Sequence, residues 1–297
     1  MVGSKRKKEF NLPNFLAWLG VHINLIVMAI IILYPVLWLI GSAINPIRGT
    51  PGAVMADNFH TFIPIPRAPS LASFQRLFDD HNFGTWYRNS LIIAIINTVG
   101  TILVHTFMGY VFARLQFRGR KAGLLSIMVL NMFPSFLAMV AIYSIFLTFG
   151  WLDNIYALAL LYIGGGIPGT MWLMRGYMLN IPKSLDEAAY IDGATKMQVF
   201  TKVIFPLSKP IITFIGFGAF MGPWMDFIFP RLLLRSTENH TIAIGLFELA
   251  GLGDPINMDI TAYTAAALII AVPFGIIFFI FQKYFALGIA AGANKGE

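Results

Sequence analysis

The sequence contains no cysteine and carries little charge. Only 12% of its 297 residues are Asp, Glu, Lys or Arg, whereas a soluble globular chain has about 25%. Without cysteine, the chain forms no disulfide bond and no thiolate metal site. The low charge, together with 57% hydrophobic residues and 27 Phe, predicts an integral membrane protein.

Long apolar runs fill most of the chain and indicate its fold class. A bilayer-spanning helix needs about 20 apolar residues, and six windows are long enough. The runs are continuously apolar and do not alternate, which argues against transmembrane strands. We therefore predict an all-α integral membrane protein with six transmembrane helices. The six windows are Leu16–Ile40, Ser90–Ala113, Ala122–Phe149, Ile155–Leu179, Pro210–Leu234 and Ala262–Leu287.

The uneven distribution of basic residues predicts the topology. Cytoplasmic loops of membrane proteins hold an excess of Lys and Arg. Fifteen of the 21 basic residues, including every lysine, fall on the side that carries both termini. Both termini are therefore predicted to be cytoplasmic, and the net charge of +7 is a topology signal that argues against nucleic-acid binding.

The first apolar run predicts an uncleaved first span. A cleaved signal peptide has an apolar region of about 7–15 residues, and the run that follows the basic N-terminus is longer. The predicted organisation is a cytoplasmic segment over residues 1–15, a six-helix transmembrane domain over 16–287 and a cytoplasmic tail over 288–297.

The longest polar interval of the C-terminal half, Pro182–Pro210, is predicted to be a cytoplasmic helical hairpin. Ser184 and Glu187 have the spacing of a capping box, and so do Thr195 and Gln198.

The ends of the two hairpin helices are also predicted. Asp186 and Glu187 lie in the first turn, where the helix dipole favours negative charge. Gly193 is predicted to separate the two helices. Pro206 is predicted to end the second helix, because proline inside a helix loses a hydrogen bond and clashes with the preceding turn.

The chain shows no sign of intrinsic catalysis. Its serines, carboxylates and histidines are sparse and scattered over opposite sides of the predicted membrane. The glycine-rich stretch Gly164–Thr170 lacks the lysine of a phosphate-binding loop and lies inside a span. We therefore expect no metal site and no cofactor bound by this chain, and any ATP must be handled by a partner.

Residues beside prolines inside the predicted spans are candidates for a translocation path, because proline interrupts a membrane helix there. Asp226 is the only carboxylate within a span, which makes it a functional candidate. The alternative is an ion pair with Arg231 or Arg235 near the outer interface. The path candidates are Met132, Pro134, Pro223, Trp224 and Asp226.

Several motifs resemble those of the maltose-type carbohydrate permeases of ABC importers. Glu187-Ala-Ala-Tyr-Ile-Asp-Gly193, followed by Pro206-Leu207 and Pro210, is similar to the EAA loop of this family. Phe205 stands where leucine usually precedes the proline, a conservative change. The resemblance extends to Tyr110–Leu115, Asn131–Pro134, Leu232–Arg235 and the tail Phe281–Gly296, and so covers nearly the whole chain.

The resemblance implies a fold, partners and a function. The fold is that of a type I ABC importer permease in the bacterial cytoplasmic membrane. The partners are a second, larger permease, two ABC ATPase subunits that bind ATP and Mg, and an extracytoplasmic solute-binding protein. The implied function is ATP-driven import by alternating access of maltose, maltodextrin or a similar oligosaccharide.

The resemblance also implies roles for named residues. The hairpin docks into one ATPase, and the third outer loop, residues 236–260, contacts the binding protein through Gly251, Gly253 and Asp254. The implied coupling residues are Ser184, Asp186, Glu187, Ala188, Ala189, Asp192 and Gly193.

Two alternatives remain open at this stage. One is a permease for another solute, such as glycerol phosphate. The other is an ion-coupled secondary carrier, although such carriers bury several ionisable groups and this chain offers only Asp226 within a span.

Overall fold

The computed structural model describes residues 12–50, 53–54, 65–132, 134–253, 256 and 258–293. Within these ranges the regular structure is helical, and no β-strand is found there, which confirms the all-α class. The helices are α1 Leu12–Ala43, α2 Ala72–Asp79, α3 Phe83–Arg114, α4 Arg120–Met132, α5 Met139–Thr148, α6 Ile155–Leu179, α7 Lys183–Ile191, α8 Lys196–Leu207, α9 Lys209–Met225, α10 Ile228–Leu233, α11 Ile242–Leu249 and α12 Ile260–Ala293.

Four helices, α1, α3, α6 and α12, are long and apolar enough to cross a membrane by themselves. Two bent pairs raise the count of candidate spans to six if each pair is one span: α4 with α5, at 92°, and α8 with α9, at 78°. The described residues thus give four to six candidate spans, and the count of six stays a prediction.

Two of the predicted spans are interrupted: the first break contains Pro134, and the second lies between Pro223 in α9 and Pro230 in α10. In the third window a 3₁₀ turn, Ser135–Ala138, follows Pro134 and separates α4 from α5. In the fifth window α9 ends at Met225 and α10 begins at Ile228. Proline has no N–H to continue the helical hydrogen-bond series, so the chain changes direction where no neighbour compensates.

The chain divides into two compact units, residues 1–76 with 259–268 and residues 77–258 with 269–297. The first unit is organised around Asp259, whose side chain is fully buried. Its Oδ2 lies 3.4 Å from the Nε atoms of both Arg48 and Arg76. Its Oδ1 accepts hydrogen bonds from the Thr261 hydroxyl and the Ala262 amide, so it also caps the first turn of α12.

In the second unit α3 packs closely along α6. A Cβ atom at Gly100 would lie 2.2 Å from Ile163 Cδ1, and one at Gly109 would lie 2.5 Å from Met174 Cγ. His105, buried between these glycines, bonds the Ile163 carbonyl at 2.9 Å through Nε2 and the Thr170 hydroxyl through Nδ1. Small residues and one bridging side chain thus hold the two long helices together.

Candidate functional site

The polar interval forms the predicted hairpin. Helix α7 is followed by a turn at Gly193, where φ is +80°, a conformation that glycine adopts without steric cost. Helix α8 then begins with a complete capping box, in which Thr195 accepts from the Gln198 amide and Gln198 accepts from the Thr195 amide. The predictions for Gly193, Thr195 and Gln198 are confirmed.

The predictions for the two outer ends of the hairpin are wrong. Pro182, not Ser184, is the residue before α7, and no side chain caps this helix, because it begins two residues earlier than a Ser184 cap requires. Pro206 does not end the second helix. It lies in a final helical turn, Phe205–Leu207, after a π-helical turn at Phe200–Ile204, and the break follows at Ser208. Proline at the start of a helical turn needs no N–H partner there.

Most of α7 is exposed, and only Asp186 is buried in it. Of the predicted coupling residues, Ser184, Glu187, Ala188, Asp192 and Gly193 are exposed, and Ala189 is half-buried. Sequence reasoning missed the most exposed apolar side chain of the hairpin, Ile191, at 87% exposure. Tyr190 and Met197 are exposed beside it. Since Ile191 follows Glu187 by four residues, helical spacing alone could have placed it on the same face. We use the name coupling face, after the role predicted for it, for the exposed residues Ser184, Glu187, Ala188, Tyr190, Ile191, Asp192, Gly193 and Met197.

Asp186 does not belong to the coupling face, although it was predicted among the coupling residues. Its side chain is buried, and its Oδ2 lies 3.1 Å from Nε of Arg114 at the end of α3. Burial raises the pKa of the Asp186 carboxyl, and the Arg114 guanidinium offsets only part of that increase. Burial of the charged carboxylate costs free energy, and the contact with Arg114 offsets part of that cost.

A cavity of about 890 Å³ lies between α4, α6 and the break that follows α9. Its size falls in the range of ligand-binding pockets, about 300–1,000 Å³. Among the described residues the lining is mostly apolar, with Asn97, Asn131 and Tyr162 as its polar members and no charged side chain. Of the predicted path residues, Pro134 and Pro223 line this cavity.

Met132 and Trp224 do not line the cavity. Met132 is 75% exposed at the end of α4. Trp224 is buried, and its ring packs edge-on against Tyr87 and Phe274, with centroids 5.1 and 5.5 Å apart. Trp224 of α9 therefore packs against α3 and α12 and not into the cavity.

Asp226 bonds a tyrosine and a helix end. Tyr162 donates to Oδ2 at 2.8 Å, and Oδ1 accepts from the amides of Ile228 and Phe229, which begin α10. No ion pair joins Asp226 to Arg231 or Arg235 among the residues that the structure describes, so the proposed interface pair is wrong. Asp226 fixes the break between α9 and α10 beside the cavity.

The bond between Tyr162 and Asp226 makes a testable prediction. A hydrogen bond to a charged group contributes about 1.5–3 kcal/mol. We expect Tyr162→Phe to loosen the break, so that the amides of Ile228 and Phe229 exchange hydrogen faster by about one to two orders of magnitude. Hydrogen exchange measured by mass spectrometry checks this. Tyr156→Phe, an exposed tyrosine on the same helix, is the matched control, and equal exchange in both variants would refute the assigned bond.

The outer-loop candidates lie after α11. Gly251 has φ of +69° and ends that helix, its amide bonding the Glu248 carbonyl at 2.9 Å. Gly251 is buried and Gly253 is exposed. Asp254 lies outside the described residues.

Asp153, in the turn that precedes α6, has φ of +62°. It accepts from the amides of Arg235 and Ser236. Burial alone raises the pKa of its carboxyl, but these hydrogen bonds outweigh the burial and lower the pKa to about 2. Asp153 therefore carries its charge at neutral pH and ties the start of α6 to the chain after α10.

A family model described as "Binding-protein-dependent transport system inner membrane component" matches residues 105–290. The galactooligosaccharides transport system permease protein GanQ of Bacillus subtilis (strain 168) is 35% identical, over 97% of this chain and 99% of the relative. The maltodextrin transport system permease protein MdxG of the same organism is 36% identical, over 93% and 95%.

A solved structure has the same fold. A chain of a bacterial ABC transporter involved in the import of the acidic polysaccharide alginate aligns with a TM-score of 0.77. The alignment covers 94% of this chain and 100% of that one, at 22% sequence identity. At this identity the likeness describes the fold alone.

Proposed function

Since the chain belongs to the binding-protein-dependent transport system inner membrane components, we propose that it forms one half of a path for a neutral oligosaccharide. It is a permease subunit of a sugar ABC importer in the bacterial cytoplasmic membrane, and it is not catalytic alone. Maltodextrin and galacto-oligosaccharides are the first candidates, because relatives that match almost end to end are named for them.

The topology proposed is six spans with both termini in the cytoplasm. Helices α1, α3, α6 and α12, with the bent pairs α4–α5 and α8–α9, give this number. Residues 1–15 and 288–297 would flank the transmembrane domain on the cytoplasmic side, where every lysine also falls. The coupling face then faces the cytoplasm, and the loop containing Gly251 and Gly253 faces outward.

The proposed partners follow from this topology. A second, larger permease completes the path, two ATPase subunits bind ATP and Mg, and an extracytoplasmic binding protein delivers the sugar to the outer loop. The coupling face suits an ATPase cleft, because it combines the acidic Glu187 with small and apolar side chains on a capped hairpin. Motion of the ATPases would be transmitted through the hairpin to α6 and α9. The cavity would then open in turn to the outside and to the cytoplasm.

The uncharged cavity is the observation that carries the choice of solute. Asn97, Asn131 and Tyr162 offer amide and hydroxyl groups that can bond sugar hydroxyls. Apolar walls suit the faces of sugar rings. A phosphate would need a cationic partner or a helix N-terminus, and the part of the lining that the structure describes contains no Lys, Arg or His. This lining argues against glycerol phosphate.

Reconstitution of the complete importer in proteoliposomes tests the proposal. We expect uptake of maltodextrin or galacto-oligosaccharide that requires both ATP and the binding protein, with glycerol phosphate giving no stimulation of ATP hydrolysis. Uptake that persists without ATP would contradict the importer and favour an ion-coupled carrier. Stimulation by glycerol phosphate alone would contradict the assigned solute class.

A further inference from the structure

The last turns of α3 hold both arms of the hairpin. Tyr110 and Arg114 are four residues apart, so they lie on one face of α3. The Tyr110 hydroxyl donates to the Lys196 carbonyl at 2.9 Å, at the start of α8. Nη2 of Arg114 donates to the Ile181 carbonyl at 2.7 Å, just before α7.

Arg114 adds a contact inside α7 through its ion pair with Asp186 at 3.1 Å. The two side chains are only 3% and 10% exposed. The pair is incompletely bonded, since Arg114 Nε and Nη1 and Asp186 Oδ1 are buried without hydrogen-bond partners in the described structure. A buried pair of this kind adds little net stability compared with packed apolar side chains. What it provides is an electrostatic contact between α3 and α7, beside the hydrogen bond from Arg114 to the Ile181 carbonyl.

An apolar cluster surrounds these polar contacts. Tyr110, Met174, Met178, Ile181, Val199 and Ile204 are all buried in it, together with Ile211, Ile212 and Ile215. Helices α6 and α9 directly precede and follow the hairpin in the sequence, so the backbone itself connects them to it. Helix α3 is distant in sequence. It packs along α6, and its direct link to the two arms of the hairpin consists of these polar and apolar contacts.

We propose that Tyr110, Arg114 and Asp186 form a positioning clamp that makes α3 move with the coupling hairpin. The clamp rests on the proposed function. In that function the hairpin transmits motion to α6 and α9, and the clamp adds α3 as a third helix. Asp186 acts here from the inner side of the helix whose outer side carries Glu187. One turn of α7 thus serves both the docking face and the clamp.

Spin labels test the movement directly, and the absence of cysteine makes this chain ready for them. Labels at Gln116→Cys, beyond α3, and Lys183→Cys, at the start of α7, are on exposed positions. In the complete importer we expect their distance to stay the same with and without ATP. In the Arg114→Met/Asp186→Leu double variant we expect the distance distribution to broaden and to depend on nucleotide. If the distance between the labels changes by several ångströms on addition of ATP while Arg114 and Asp186 are both present, the clamp is overturned.

Coupling efficiency gives a second readout, measured as sugar imported per ATP hydrolysed. We expect Arg114→Met to lower this ratio about tenfold, within the range of roughly 2- to 30-fold found for substitutions along a coupling route. Arg114→Lys keeps the charge and should recover part of the loss. The double variant replaces the pair with packed apolar side chains, so it should assemble and still couple poorly.

The outcomes separate the clamp from the proposed function. If the double variant imports as much sugar per ATP as the unsubstituted importer, the pair is only structural and the clamp is refuted. If the unsubstituted importer shows no ATP-dependent uptake, the proposed function fails. The label distances still decide whether α3 and the hairpin move together.

Discussion

Glu187→Ala is expected to abolish sugar uptake and to weaken docking of the ATPase, while the subunit still inserts into the membrane. Glu187 is exposed on the coupling face, and its carboxylate is not needed to cap α7. A central anchor of an interface contributes about 2–4 kcal/mol, which corresponds to roughly 30- to 1,000-fold in affinity. Uptake into proteoliposomes and copurification of the ATPase subunits measure the two parts of this expectation.

Two companion variants sharpen the test. Ile191→Asp places a charge at the 87% exposed apolar position beside Glu187, and it should weaken ATPase docking as strongly. Asp79→Ala removes an exposed acid at the end of α2, outside the hairpin, and should import sugar normally. Normal uptake by Glu187→Ala would remove the coupling role from the hairpin.

Asp259→Ala is expected to cause the largest loss of stability in the chain. The side chain is fully buried and is held by two arginines and two further donors. Removing one member of a buried ion pair costs about 3–5 kcal/mol. We expect the segments around Arg48 and Arg76 to become sensitive to protease and to exchange hydrogen faster.

A conservative substitution separates charge from capping at this position. Asp259→Asn keeps an oxygen that can accept from Thr261 and Ala262, so its loss of stability should be smaller than that of Asp259→Ala. Asp79→Ala, an exposed acid, should change stability by no more than about 0.5 kcal/mol. Equal melting of detergent-solubilised Asp259→Ala and unsubstituted importers would contradict the assigned role of the cluster.

The long helices could be predicted because each is a continuous apolar run. The window Ile155–Leu179 coincides with α6, and the signal there needs no tertiary information. The interruptions could not be predicted with the same certainty. Pro168 lies inside α6 without ending it, whereas Pro134 lies in the break between α4 and α5. The difference depends on how neighbouring groups satisfy the freed carbonyls, which a single sequence does not contain.

The candidate site shows the same division between local and distant signals. The Thr195 capping box and the turn at Gly193 depend on residues within a few positions, and both were predictable. Arg114 was counted among the cytoplasmic basic residues and lies in the family-like stretch Tyr110–Leu115. Its pairing with Asp186 could not be predicted, because it joins residues 72 positions apart. Tyr162 was not singled out at all, since a tyrosine in an apolar run has no local mark of its carboxylate partner.

The π-helical turn at Phe200–Ile204 has a consequence for how permeases of this kind can vary in length. A π turn holds one residue more than an α-helical turn over the same stretch of backbone. Deleting Thr201 would let α8 close as ordinary α-helix, with the flanking turns in nearly the same orientation. A residue deleted elsewhere in α8 would instead rotate everything upstream by about 100°, and the hairpin surface would point away from the proposed ATPase although every side chain on it was unchanged. The π turn can therefore absorb a change of one residue without altering the angle between the membrane helices and the hairpin, and we expect natural one-residue insertions and deletions in α8 to fall there.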